Sequence, residues 1–134
     1  MYNFEIEKPT SVAEAVAALK DEDAQALGGG QTLIPTLKAR LAAPSKLVSL
    51  SGIAEMKGII ADDGTVTIGG GTPHAVVAAG GSAYPALAAL AGDIGDPAVR
   101  NRGTIGGSVA NNDPAACYPS AVLASGATVV TNSR

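Results

Sequence analysis

Two glycine clusters supply the residues in this chain best suited to holding an anion: Leu27-Gly28-Gly29-Gly30-Gln31-Thr32-Leu33 and Arg100-Asn101-Arg102-Gly103-Thr104-Ile105-Gly106-Gly107-Ser108. Without a Cβ, a loop can take positive φ and bring its N–H groups close to a phosphate, and a pair of such loops suits a pyrophosphate. A dinucleotide ligand is the expectation this raises. The first cluster sits between an apolar run and a helical pattern, so the helix start would aim orphan N–H donors and a partial positive charge outward from it. It lacks the third glycine of the common dinucleotide fingerprint, since Leu33 stands there, and it lacks the Gly-Lys-Ser/Thr of a P-loop. Taken alone, three glycines in a turn are more often an ordinary strand-to-helix connection.

The second cluster adds the Thr104 hydroxyl, and Asn111, Asn112 and Asp113 follow with amides and a carboxylate suited to ribose or ribityl hydroxyls. Asn-Asn-Asp-Pro reads as readily as a plain bend; the density of both signals together favours a ligand. Arg100 and Arg102 suit a diphosphate or a partner protein, although solvated arginines near a loop are the commoner case. His74 follows Thr72-Pro73 with no second His or paired Cys, which favours a surface or helix-start role over ligation. Cys117 has no base beside it in sequence and reads as a small packed side chain. Asp21-Glu22-Asp23 and Asp62-Asp63 read as solvated turns. No catalytic side chain and no metal-ligand set is assigned.

The elements that must position these loops follow from period and punctuation. Tyr2, Phe4 and Ile6 alternate as an edge strand ending at Lys8-Pro9. Ser11 and Glu14 match a capping box before a helix through Val12, Ala15, Val16 and Leu19. Ala24 to Leu27 reads as a buried strand, Thr32 as the N-cap of a helix through Leu33, Leu37 and Leu41, and Lys46 to Leu50 as a third strand. Pro35 falls in that helix's first turn, where a missing N–H costs little. This is βαβαβ with a small parallel sheet. After a looser stretch, Ile59-Ile60 and Val66 to Ile68 flank Asp62-Asp63-Gly64 as a hairpin. Ala75 to Ala79 and Tyr84 to Leu90 read as short helices, Gly92 to Gly107 as a glycine-rich loop, Ser120 to Ala124 as a helix turn and Ala127 to Thr131 as a strand. The expected division is a first lobe over residues 1–57 and an incomplete mixed lobe over 58–134.

Composition narrows the class. The chain has 134 residues, 46% hydrophobic and only 3% aromatic, so its core must be built from small aliphatic side chains. A net charge of −3 with scattered basic residues argues against a nucleic-acid partner. A single Cys and a single His exclude a disulfide framework, a four-thiolate zinc site and any iron–sulfur cluster held by this chain alone. No apolar run approaches the roughly 18 residues of a membrane span, and residues 1–7 lack the pattern of a signal peptide, so the expectation is a cytoplasmic protein without a transmembrane segment.

With Gly-Gly-Gly-Gln-Thr-Leu-Ile-Pro from Gly28 and Asp-Pro-Ala-Val-Arg-Asn-Arg-Gly-Thr-Ile-Gly-Gly-Ser from Asp96, the chain resembles the FAD-binding medium subunits of the molybdenum hydroxylases, the carbon monoxide dehydrogenase and xanthine dehydrogenase family. The similarity runs from Tyr2 to about Thr131. It implies an α+β fold of the vanillyl-alcohol-oxidase-like, PCMH-type FAD-binding class. It also implies an oxidoreductase subunit that passes electrons from iron–sulfur clusters of a partner through flavin to an external acceptor. FAD is the implied cofactor of this chain. Molybdopterin would sit on a large partner subunit and [2Fe-2S] clusters on a small one. Carried over by motif, Gly28, Gly29, Gly30, Gln31, Thr32 and Leu33 would wrap the diphosphate. Thr104, Ile105, Gly106, Gly107 and Ser108 would hold it and the ribityl chain, with Asn111 and Asp113 along the same groove and Ile94 near the isoalloxazine ring. Cys117 stands where many such subunits carry Asp, and a thiol is a poor acceptor for a ribityl hydroxyl. Gly28 stands where Ala is common. The family chain continues through further second-lobe strands and a C-terminal domain, so this chain is expected to be a piece that is inactive on its own. The other readings are an assembly module without flavin and a standalone flavin oxidase of the same fold.

Overall fold

The apolar pair Leu47-Val48 organises the first half of the molecule. In the computed structural model, which describes residues 1–133, β3 (Lys46–Ser49) lies between β1 (Glu5–Glu7) and β2 (Ala24–Leu27) in a parallel sheet of order β1-β3-β2. Ile6 and Gln25 both stand opposite Leu47. Adjacent strand residues face opposite sides of a sheet, and Leu47 and Val48 are both wholly buried, so the central strand is covered on both faces. On the Val48 side the cover is α1 (Val12–Ala18), whose Ala15 and Ala18 join Val48 and Ile53 in one core cluster. The outer strands are less protected than their sequences suggest. Gln25 and Ala26 of β2 are exposed, as is Ile6 of β1, because both strands are sheet edges; Tyr2, expected in the first strand, lies outside it and is also exposed.

Ser11 caps α1 as expected, its side chain accepting from the Glu14 N–H. The returning half of the capping box shifts by one residue: the Glu14 carboxylate accepts from the Thr10 N–H and hydroxyl at 2.7 and 3.0 Å. Those bonds hold the Glu14 carboxyl below its ordinary pKa. α2 (Leu33–Lys38) stops before Leu41. Arg40 takes φ 58°, its N–H bonds to the Leu37 carbonyl and the Leu41 N–H to that of Thr36. This is a Schellman closure with arginine where glycine is usual, and it leaves Leu41 exposed.

Two 3₁₀ turns, Leu50–Gly52 and Ala54–Met56, lead to the antiparallel hairpin of β4 (Ile59–Asp62) and β5 (Thr65–Ile68). Asp63 and Gly64 both have positive φ, which matches the type I′ turn favoured between twisted strands. Five helices follow: α3 (His74–Ala79), α4 (Pro85–Gly92), α5 (Pro97–Arg100), α6 (Ile105–Asn111) and α7 (Cys117–Ser125). Val77, Ala91 and Tyr118 form a second core cluster, flanked by Ile68, Leu87, Leu90, Ile94, Ile105 and Val109.

Two further expectations fail here. The stretch from Gly92 to Gly107 is not one loop, because Asp96 and Thr104 each cap a helix within it, accepting from the N–H groups of Val99 and Gly107. Residues 127–131 form no strand, and Val129 and Val130 lie exposed without a paired neighbour strand among the described residues. No helix among the described residues is long and apolar enough to cross a membrane.

Candidate functional site

The two glycine loops meet through their main chains. A Cβ on Gly29 would lie 2.0 Å from the Arg102 carbonyl oxygen and 2.6 Å from the Gly103 Cα, so only glycine permits this approach. A Cβ on Gly28 would come within 3.3 Å of the Thr104 Oγ1. Behind this contact, the Ile105 N–H donates to the Thr72 carbonyl at 3.1 Å and the Gly106 N–H to the Gly70 carbonyl at 2.8 Å. Gly69 in turn lies against Met56, whose carbonyl oxygen would sit 2.4 Å from a Cβ there. The Gly69-Gly70-Gly71 run, which motif reasoning left unassigned, is therefore the layer between the second loop and the Met56 turn.

The donors divide unequally between the loops. Among the described residues, the N–H groups of Gly29, Gly30 and Gln31 donate to no carbonyl. The first four amides of α6 are all used inside the protein: Ile105 and Gly106 as above, Gly107 on the Thr104 Oγ1 and Ser108 on the Thr104 carbonyl. The Thr104 hydroxyl accepts from Gly107 and keeps its own proton to donate. Gly30 sits at φ 74°, in the left-handed region that favours glycine.

The remaining sequence candidates fall in different places. Gln31 is exposed and its side-chain amide donates to the Gly29 carbonyl at 3.1 Å. Thr32 precedes α2 but makes no side-chain cap; its carbonyl accepts from the Thr36 N–H and hydroxyl. Leu33 and Ser108 are half-buried. Asn111 and Asp113 are exposed at the far end of α6, about 10 Å of helix rise from Thr104. Asp113 caps its own turn, accepting from the Ala115 N–H at 2.8 Å. Ile94 packs partly into the second core cluster, and its carbonyl, with that of Gly95, accepts from one nitrogen of Arg100 at 3.0 Å. Arg100 is thus tied to the protein rather than solvated, while Arg102 is exposed. Cys117 is exposed, not packed.

One feature was not legible from motifs. His74 begins α3 as expected but is buried, 5% exposed, with its ring 5.2 Å from that of the fully buried Tyr118. Burial pushes the imidazole below its ordinary pKa and the phenol up to about 12. His74 Nδ1 and the Tyr118 hydroxyl have no protein hydrogen-bond partner. His74 Nε2 lies where a Cβ on Gly103 would come within 2.5 Å. Only an unpaired histidine and a tyrosine far along the chain marked this contact in sequence.

Known proteins resemble this chain in sequence and in fold. A family model described as the FAD binding domain in molybdopterin dehydrogenase matches residues 2–134. The chain belongs to this family. This family member is 40% identical over 126 residues to the carbon monoxide dehydrogenase medium chain of Hydrogenophaga pseudoflava, covering 90% of the chain and 44% of that relative. It is 38% identical over 136 residues to the 6-hydroxypseudooxynicotine dehydrogenase complex subunit alpha of Paenarthrobacter nicotinovorans, covering 98% and 46%. Among solved structures it superimposes on a chain of the H. pseudoflava carbon monoxide dehydrogenase that lacks the Mo-pyranopterin moiety of the molybdenum cofactor. The TM-score is 0.89 at 41% identity, over 92% of this chain and 45% of that one. The chain therefore spans less than half the length of these relatives.

Proposed function

We propose that the seam between the two glycine loops holds the diphosphate of FAD, and that the chain is flavin-binding sequence of a molybdopterin-dependent hydroxylase or dehydrogenase. The observation that carries this reading is the contact of Gly29 with Arg102 and Gly103, which brings two anion-suited loops together while leaving the amides of Gly29, Gly30 and Gln31 unspent. The residues present fit the group. Those three amides would receive phosphoryl oxygens, with Thr32 and Leu33 at the start of α2 adding the positive helix end. Thr104 would donate its hydroxyl from the second loop, while Ile105, Gly106, Gly107 and Ser108 act by shaping the backbone. Ile94 would border the ring system, and Asn111 and Asp113 would reach the polyol end of the ligand.

When bound, FAD supplies electron-carrier chemistry, accepting electrons from iron–sulfur clusters of a small subunit, fed by molybdopterin on a large one, for delivery to an external acceptor. The chain's own residues bind and orient; none is assigned proton transfer. The names of the relatives, a medium chain and a complex subunit, support partners of this kind. We further assign the vanillyl-alcohol-oxidase-like, PCMH-type arrangement, with lobes at 1–57 and 58–134. The two separate core clusters, one around Val48 and Ile53 and one around Val77 and Tyr118, support that division.

The test is flavin uptake. The chain is mixed with FAD, gel-filtered and examined by visible absorption. The wild-type chain is expected to retain flavin, Gly29→Ala to lose it, and Gly92→Ala, where a Cβ meets open space, to behave as wild type. A wild-type chain that emerges colourless, or a Gly29→Ala chain that retains flavin as well as the parent, rules the assignment out.

A further inference from the structure

We propose that His74 is a positioning residue for FAD binding: its buried imidazole, seated on Tyr118, braces Gly103 so that the second glycine loop stays against Gly28 and Gly29. The inference rests on the functional reading above. The chain of contacts runs in one direction through named atoms. Tyr118 is fully buried in the second core cluster, and its ring packs 5.2 Å from the imidazole. The imidazole also lies against Gly103, where a single added carbon would approach Nε2 to 2.5 Å and Cδ2 to 2.8 Å. The main chain repeats the link, with the His74 N–H donating to the Gly103 carbonyl at 2.9 Å. Gly103 and the Arg102 carbonyl are the surface on which Gly29 rests. A shift of the imidazole is thus passed to the seam through two glycines, with no flexible side chain between to absorb it.

Burial holds the imidazole below its ordinary pKa. His74 occupies the first position of α3. The titratable or charged groups on or capping the elements around it are Tyr118 and Cys117 of α7, Arg100 of α5, the exposed Arg102, Tyr84 and Asp93 at the ends of α4, and Asp96, whose carboxylate is engaged by the Val99 N–H. None of these is an ion-pair partner for His74 among the described residues.

A double-mutant cycle tests this in the full chain. FAD dissociation constants are measured for wild type, His74→Ala, Gly103→Ala and the double variant, with thermal stability followed in parallel. His74→Ala and Gly103→Ala are each expected to weaken FAD binding about tenfold or more. The double variant should be less impaired than the product of the two, because the Gly103→Ala methyl enters the space the imidazole leaves. His74→Phe, which keeps a ring against Gly103, should bind FAD within about threefold of wild type. Val48→Ala, in the first core cluster, should lower stability without changing affinity. The proposal is overturned if His74→Ala binds like wild type, if the two effects multiply independently, or if Val48→Ala lowers affinity as much. Should His74→Ala not fold, unchanged FAD affinity in Gly103→Ala overturns it equally. Amide hydrogen exchange at Gly103, measured without FAD, should rise in His74→Ala. A wild-type chain that takes up no FAD but shows this exchange effect defeats the functional reading while keeping the brace; unchanged exchange defeats the brace itself.

Discussion

Single atoms decide the behaviour of the seam. At Gly29 the nearest obstacle to a Cβ is a carbonyl oxygen, which cannot rotate away as a side-chain tip can. Gly29→Ala is therefore expected to cost about 1–3 kcal/mol of stability, the range for overpacking a tight site, as read by denaturant unfolding. Gly58→Ala tests a different cause: open space surrounds it, and only its φ of 107° opposes a side chain. His74 makes a second prediction at this scale. Its folded pKa is lowered by burial, so below the ordinary value of 6.5 the unfolded chain takes up a proton that the folded chain refuses. Stability should be full above that pH and fall as pH drops toward the lowered folded value, by at most about 1.4 kcal/mol per pH unit for one proton. Thermal melts between pH 7 and 5 should show the slope, and His74→Phe should remove this part of it. The glycines were legible in the sequence because missing side chains are visible there. The pairing of His74 with Tyr118 was not, since nothing local in either residue's neighbourhood specifies a contact between α3 and α7.

At the level of elements, local signals and tertiary contacts contributed unequally. The parallel βαβαβ order and the Asp63-Gly64 hairpin followed from period, caps and turn residues, and both are present. The segment from Gly92 to Gly107 was misread because its glycines weigh against helix, yet the caps at Asp96 and Thr104 are strong enough to start one. The segment 127–131 has the composition of a strand but pairs with no strand among the described residues, and β-propensity without a neighbour makes no ladder. The caps give a paired prediction. Asp96→Ala and Thr104→Ala should each lose about 1 kcal/mol, the usual cost of an N-cap. Only Thr104→Ala should also weaken flavin binding directly, because its hydroxyl borders Gly28. Calorimetry alongside FAD titration separates the two effects.

Across the whole molecule, the two core clusters share no buried residue, and the glycine seam is one of the places where their elements touch. A ligand bound at that seam adds stability to both. FAD at a hundred times its dissociation constant is expected to stabilise the wild-type chain by about 2.7 kcal/mol, in one unfolding transition seen equally by probes of either cluster. Gly29→Ala should show no such gain. If probes near Val48 and Tyr118 instead report separate midpoints that FAD shifts independently, the ligand does not bridge the clusters. The sequence carried the two loops but not the way Gly69, Gly70 and Gly106 interleave, because glycine tolerates many conformations and announces none of them.

That interleaving has a bearing on how such a scaffold can change over generations. Peptide groups are identical at every position, so a joint built from them keeps its shape while the residues around it are exchanged. Drift in the aliphatic interior, even extensive, should leave the seam at its original angle, and a single methyl gained at Gly29 or Gly106 should undo what many interior replacements would not.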